Sequence, residues 1–283
     1  MSQIISPEVE DPLLAEIERL ESLDLVYEDG VPLDTPWHRF EIDLLSQLVV
    51  RAMAGRGRED YYTGGNMFIY FSLEQAELIR TAPPHEYRHV AGPDFFFVDR
   101  VPNRDRKAWV AWKEQGRYPD VIGELLSPST AHVDRTRKKE LYERTFRTPE
   151  YFLYDPDRDQ LDAFRLGVRG AYEPIPPDPH GRVWSEPLGL WLGRWRGTHM
   201  RLEATWLRFF DADGRLIPTD GEVAGAERQR ADAERQRADA EGQRADAEGQ
   251  RADAEGQRAD AERQRADAAE AEVARLRAAL EKR

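Results

Sequence analysis

Hydrophobic positions along the chain fall into three textures. Residues 7–23 space Leu13, Leu14, Ile17, Leu20 and Leu23 at helical intervals, which predicts a short amphipathic helix. An Asp29-Gly30 turn follows, and Thr35-Pro36 then supplies a cap and a proline at the first helical position. A second helix is therefore expected, burying Phe40, Ile42, Leu44, Leu45, Leu48 and Val49. Beyond it the pattern turns to apolar, aromatic-rich runs bounded by Gly, Pro or polar residues. Residues 66–71, 94–98 and 121–126 read as strands. A helix over 132–146 comes next, then a strand over 150–154 closed by Asp155-Pro156, with 161–166 alternating as its hairpin partner. From there to about Pro218 the chain is rich in Trp and Gly and predicts short strands. An early helix, several strands and one helix between late strands give an α+β (mixed α/β) fold.

The third texture is a repeat. From Ala226 to Asp267 the unit Ala-Glu-(Arg/Gly)-Gln-Arg-Ala-Asp recurs about six times with a seven-residue period. Arg228 and Asp232 are spaced for an ion pair along a helix, as are Arg230 and Glu234. Projected back from Val273, Leu276 and Leu280, one seam position is Ala (Ala231, Ala238, Ala245) and the other is Glu. Gly242, Gly249 and Gly256 each cost about 1 kcal/mol relative to Ala in a helix. Two readings stand: a solvated single helix or partly disordered stalk, with any pairing confined to the Val273–Leu280 end, and a self-associating coiled coil. The domain organisation expected is an acidic helical segment over 1–24, a body over 25–220 and a heptad-repeat tail over 221–283.

Charge and composition narrow the function. The net charge is −13, of which residues 1–30 hold about −8 and the tail about −3, leaving about −2 on the body. No basic stripe advertises tight nucleic-acid binding, which counts against a simple DNA-binding module. There are no cysteines, so disulfides and thiolate zinc sites are excluded. No apolar run approaches the ~20 residues of a membrane span, and the N-terminus lacks a signal-peptide core. A soluble, cytoplasmic protein with no membrane partner is expected.

One stretch carries chemistry. The run Asp120-Val121-Ile122-Gly123-Glu124-Leu125-Leu126 is apolar except for Asp120 at its start and Glu124 within it, and a carboxylate inside a buried strand is costly unless paired or bound to a metal. A core salt bridge is the plain alternative. Asp94 opens the strand over 94–98. If that strand runs antiparallel to the other, Asp94 lies at the same rim as Glu124, where the two would share a cation such as Mg2+ or Mn2+. Asp120 shares strand parity with Glu124 but lies roughly 13 Å away along an extended strand, too far for one ion. Lys138 and Asp134 sit one turn apart on the following helix, placed to contact a phosphate or simply to pair. His38, near the start of the early helix, faces the same cleft or merely caps the helix. No phosphate-loop, dinucleotide, zincin or nucleophile-elbow motif is present, and Ser127 and Ser129 lack a His/Asp pairing in sequence.

Taken in order, several motifs resemble those of the restriction-endonuclease-like family called Uma-two, a branch of the PD-(D/E)xK nuclease superfamily. They are Gly92-Pro93-Asp94-Phe95-Phe96-Phe97-Val98, then Trp112 through Asp120, and Val121 through Thr130. Asp134, Lys138 and Tyr142 follow, then Pro149 through Pro156 and Ser185-Glu186-Pro187-Leu188-Gly189-Leu190. The likeness spans roughly residues 25–220. It implies a restriction-endonuclease-like central mixed sheet flanked by helices, with Asp94 and Glu124 as metal-binding acids. The residue two after Glu124 is Leu126 where the superfamily pattern has Lys, and the resemblance implies that Lys138 has taken the basic role. Asp94, Glu124 and Lys138 are thus the expected catalytic residues, supported by His38, Asp120, Asp134 and Tyr142.

The reading expected from these residues is a Mg2+-dependent (or Mn2+-dependent) endonuclease hydrolysing DNA, with self-association through the tail or the nuclease domain. The rival is a catalytically impaired nuclease-fold scaffold assembled through its helical tail. A metal-dependent hydrolase of another substrate is the third.

Overall fold

Alternation within three central strands decides which residues face which layer. The computed structural model describes residues 18–19, 22–27, 35–81 and 91–280. Most of the helix expected over 7–23, and the Asp29-Gly30 turn, lie outside the described residues. The chain divides into two units, Met1–Thr219 and Asp220–Arg283.

The first unit opens with helix α1 (Pro36–Gly55), started by Thr35, whose hydroxyl accepts the His38 N–H, and by Pro36 in the first turn. Its apolar stripe of Ile42, Leu44, Leu45, Leu48, Val49 and Met53 is buried; Phe40 is only half-buried. Strands β1 (Tyr61–Gly64) and β2 (Ile69–Tyr70), helix α2 (Leu73–Thr81), and strands β3 (Phe95–Asp99), β4 (Trp109–Val110) and β5 (Val121–Leu125) follow. A helix over residues 131–146, α3, leads to β6 (Glu150–Asp155), β7 (Gln160–Leu166) and β8 (Tyr172–Pro174). The last strands are β9 (Val183–Ser185), β10 (Leu190–His199) and β11 (Leu202–Phe210).

A six-stranded mixed sheet runs in the order β1-β3-β5-β6-β7-β8. Only β5 and β6 are parallel, joined by α3 as a parallel crossover requires; the other pairs are antiparallel. Phe95, Phe97, Val121, Leu125, Phe152 and Tyr154 face one side, where α1 and the three-stranded sheet β11-β10-β9 cover them. Phe96, Val98, Ile122, Tyr151 and Leu153 face the other side, against Tyr142 and Phe146 of α3. The expected α+β architecture is the observed one.

Three expectations change. The run 66–71 gives only the two-residue β2, paired in parallel with β4, because Asn66 adopts a left-handed φ of 48° and its N–H goes to the Pro93 carbonyl at 2.9 Å. The Trp- and Gly-rich region holds not only short strands but β10 and β11, ten and nine residues long, whose apolar alternation is broken by Gly193, Gly197 and several arginines. In the second unit, helix α4 (Asp220–Leu280) leaves the expected Arg228–Asp232 and Arg230–Glu234 pairs open, while Arg275 and Glu272 close at 3.6 Å. Exposed pairs gain too little to hold two long side chains in place. No described helix is long and apolar enough to cross a membrane.

Candidate metal and phosphodiester site

Glu124 enters the sheet because its neighbours are strand formers and its partners are waiting. All five residues of β5 are buried, and strand parity turns Glu124 with Ile122 toward α3. Gly123, on the opposite face, leaves room for the Phe95 ring, which an added β-carbon would meet at 3.4 Å. The antiparallel register Phe95↔Gly123 brings the start of β3 beside the end of β5. Asp94 and Glu124 hook across this junction. The Asp94 N–H donates to Glu124 Oε2 at 3.3 Å, and the Leu125 N–H donates to Asp94 Oδ2 at 2.7 Å.

A turn then carries the chain onto α3. The Thr130 and Ala131 N–H groups donate to the Ser127 carbonyl, and the Ser127 hydroxyl bonds those of Ser129 and Thr130. The two serines thus serve the turn. Within α3, Asp134–Lys138 and Tyr142–Phe146 form wider π turns, a feature common at functional sites. Asp134, Lys138 and Tyr142 recur every four residues and all reach the buried carboxylate or its partner. The Tyr142 hydroxyl donates to Glu124 Oε1 at 2.9 Å. Lys138 Nζ lies 3.1 Å from Glu124 Oε2, 2.9 Å from Asp134 Oδ1 and 3.5 Å from the Gly92 carbonyl. The Tyr151 hydroxyl donates to the Asp134 carbonyl at 2.9 Å and steadies the first π turn.

His38 both helps to start α1 and faces the site: its ring Nε2 is 3.3 Å from Asp94 Oδ2. Asp120 stands apart at the other end of β5, accepting the Asp99 N–H at 2.7 Å with Arg117 3.5 Å away. Its side chain holds the β3–β5 pairing rather than the cluster. Sequence reasoning missed Gly65, which has no room for a side chain: an added β-carbon would run into the Asp94 carbonyl oxygen and stand 2.6 Å from Ile42. The Gly64-Gly65 pair was the available signal.

Electrostatics follow from burial and crowding. Burial pushes the Glu124 carboxyl well above its ordinary value; Lys138 opposes this, while Asp134 and Asp94 add to it. Burial works against the Lys138 ammonium, yet Glu124, Asp134 and Asp94 outweigh it and hold its pKa above the ordinary value. Burial likewise raises the Tyr142 hydroxyl, keeping it a neutral donor. Three carboxyl groups, of Asp94, Glu124 and Asp134, thus crowd around one ammonium. Asp94 and Lys138 keep 18% and 19% of their side chains exposed, whereas Glu124 is sealed, so the cluster opens to solvent on one side.

No curated protein matches the chain. Among solved structures, a crystal structure described as a putative nuclease belonging to DUF820 from Anabaena variabilis shares 15% identity. The match covers 57% of this chain and 81% of that one, with a TM-score of 0.39. The family model Uma2, described as putative restriction endonuclease, matches residues 17–201, well over half of the chain, and the chain belongs to that family.

Proposed function

We infer that the protein is a divalent-cation-dependent endonuclease that hydrolyses phosphodiester bonds of DNA. The observation that carries this reading is the cross-hooked pair Asp94 and Glu124 with Lys138 seated between Glu124 and Asp134.

The donor set fits a hard cation. Two carboxyl groups of adjoining strands offer hard oxygen ligands, the donor type that divalent Mg2+ or Mn2+ prefers. No cluster of three metal-binding side chains occurs among the described residues. Mg2+ suits such a site, because it commonly takes one or two carboxylates and fills its shell with water and substrate oxygens. Asp94 and Glu124 would hold it, and once bound it supplies Lewis-acid polarisation and a water of lowered pKa.

The remaining roles belong to the side chains. Lys138 stays protonated, so it acts as a fixed cation toward the negative charge developing on the phosphoryl oxygens and not as a base. Asp134 holds the ammonium in place from one turn away. Tyr142 fixes one oxygen of Glu124 and Lys138 the other, so the carboxylate is oriented before substrate arrives. His38 does the same for Asp94. In the reaction a water oxygen bonds to phosphorus and gives up a proton, the bond to the leaving oxygen breaks, and that oxygen takes a proton.

The test is cleavage of plasmid, linear duplex, single-stranded DNA and RNA with Mg2+ or Mn2+, beside Glu124→Ala and Lys138→Met. The parent is expected to cleave DNA and both variants to be inactive. A Glu124→Ala protein that cleaves as fast as the parent overturns the assignment. Absence of both cleavage and calorimetric Mn2+ binding by the parent favours the scaffold reading.

A further inference from the structure

Strands β10 and β11 pair along nine register positions from Trp191↔Phe210 to His199↔Leu202, but β9 covers only the Leu190–Leu192 end. The rest is a two-stranded ribbon, and it is rooted beside the candidate site. Trp37, next to His38 in α1, stacks on Trp206 of the ribbon with ring centroids 6.0 Å apart. Its indole N–H donates to the Thr205 carbonyl at 3.3 Å. From Trp206 the strand still runs four residues to Leu202, about 13 Å at the usual strand rise.

The tip is built against local preference. Met200 and Arg201 form a two-residue loop between the paired His199 and Leu202, and both have left-handed φ, 48° and 67°. Such loops favour Asn-Gly or Asp-Gly, because a side chain is strained at positive φ. Met200 is 62% exposed, so burial offsets little of the strain. Strain kept at an exposed tip calls for a contact outside the fold.

Charge indicates what that contact is. Residues 194–203 hold Arg194, Arg196 and Arg201 against Glu203, on a body that is acidic overall. Arg194 is held by Asp159 at 3.2 Å, which leaves Arg196 and Arg201 as the cations the ribbon offers. Arg196 is 80% exposed with Glu203 no nearer than 3.7 Å, and Arg201 has no ion-pair partner among the described residues. We propose that the β10–β11 ribbon is a DNA-binding arm that enters a groove of the duplex beside the Asp94–Glu124 site. Arg196 and Arg201 meet phosphates, and Met200 meets the base edges. A major groove admits a two-stranded ribbon, and arginine–phosphate contacts supply sequence-independent affinity.

This arm rests on the reading of DNA as substrate, and the experiment separates the two. The full chain is titrated into a fluorescently labelled mixed-sequence duplex, with calcium as the cation, across a range of salt. Arg196→Ala combined with Arg201→Glu is expected to weaken binding about tenfold and to flatten the salt dependence. In cleavage it raises KM and leaves kcat unchanged. Met200→Asn combined with Arg201→Gly relieves the turn, so it raises the melting temperature while weakening binding; a purely structural tip would not split the two. If the parent binds and both variants bind equally well, the arm is wrong and the substrate reading stands. If the parent neither binds nor cleaves DNA, both fall.

Discussion

At the scale of single residues, the site is a carboxylate held where water would normally be needed. Glu124 tolerates burial because Tyr142 and Lys138 satisfy its two oxygens. Tyr142→Phe removes a donor to the charged form, so the pKa of Glu124, already raised by burial, moves further up. The acid limb of the pH–rate profile then shifts to higher pH, while the plateau rate changes little. The sign for stability follows from linkage. A group whose folded pKa is raised contributes stability that is present at low pH and lost as pH rises through the folded value. Tyr142→Phe should therefore cost about 1–3 kcal/mol at pH values where Glu124 is ionised and much less in acid. Chemical denaturation in chelator at several pH values checks this. A cost that is the same at every pH means that the hydroxyl does not act through the carboxylate.

At the scale of elements, the site is a junction of three: the start of β3, the end of β5 and one face of α3. The first two were legible, because Asp94 and Glu124 each sit at a defined place in a strong apolar run, and an antiparallel pairing puts those places together. The Asp134–Lys138 spacing was legible from the helix, while a role for Lys138 beside the carboxylates came from the family resemblance. For His38 the sequence left facing the cleft and capping the helix open, since nothing local links residues 56 apart in the chain; only packing of α1 against the sheet brings it to Asp94. The π turns left no periodic mark either, because the side-chain pattern of a single widened turn is too short to separate from an α-helix. Gly65, just after β1, shows how close packing controls the site. Its backbone passes so close to Asp94 that Gly65→Ala must displace the start of β3 or Ile42 of α1. A loss of about 1–3 kcal/mol is expected from the overpacking, with kcat falling more than KM. Gly64→Ala is the control, since the nearest atoms to its β-carbon would be on the Tyr62 and Phe96 side chains, at 3.1 and 3.4 Å, and not on the backbone of Asp94. Melting curves and steady-state kinetics on the pair decide it; equal effects would mean that proximity to Asp94 is irrelevant.

At the scale of the whole chain, the tail is a separate material. Side chains of α4 are exposed from residue 226 through residue 277, and its repeat alternates Ala with Glu at the positions where a coiled coil needs apolar pairs. Val273 and Leu276, the apolar exceptions, are themselves 48% and 56% exposed. A helix of this kind owes its order to local propensity, so its weak points are Gly242, Gly249 and Gly256. An added β-carbon at each meets nothing within 4 Å, so replacement by Ala changes propensity without steric interference. The triple variant should gain about 1 kcal/mol of helix stability per site. Its far-ultraviolet dichroism should show a higher tail melting temperature that does not depend on protein concentration. Truncation after Thr219 should remove the dichroism of the 61-residue helix and leave the melting temperature and cleavage rate of the body unchanged, because the boundary between the two compact units falls there. A tail transition that rises with concentration would instead establish pairing between copies, and the poor seam would then have to be sustained by its Val273–Leu276 end.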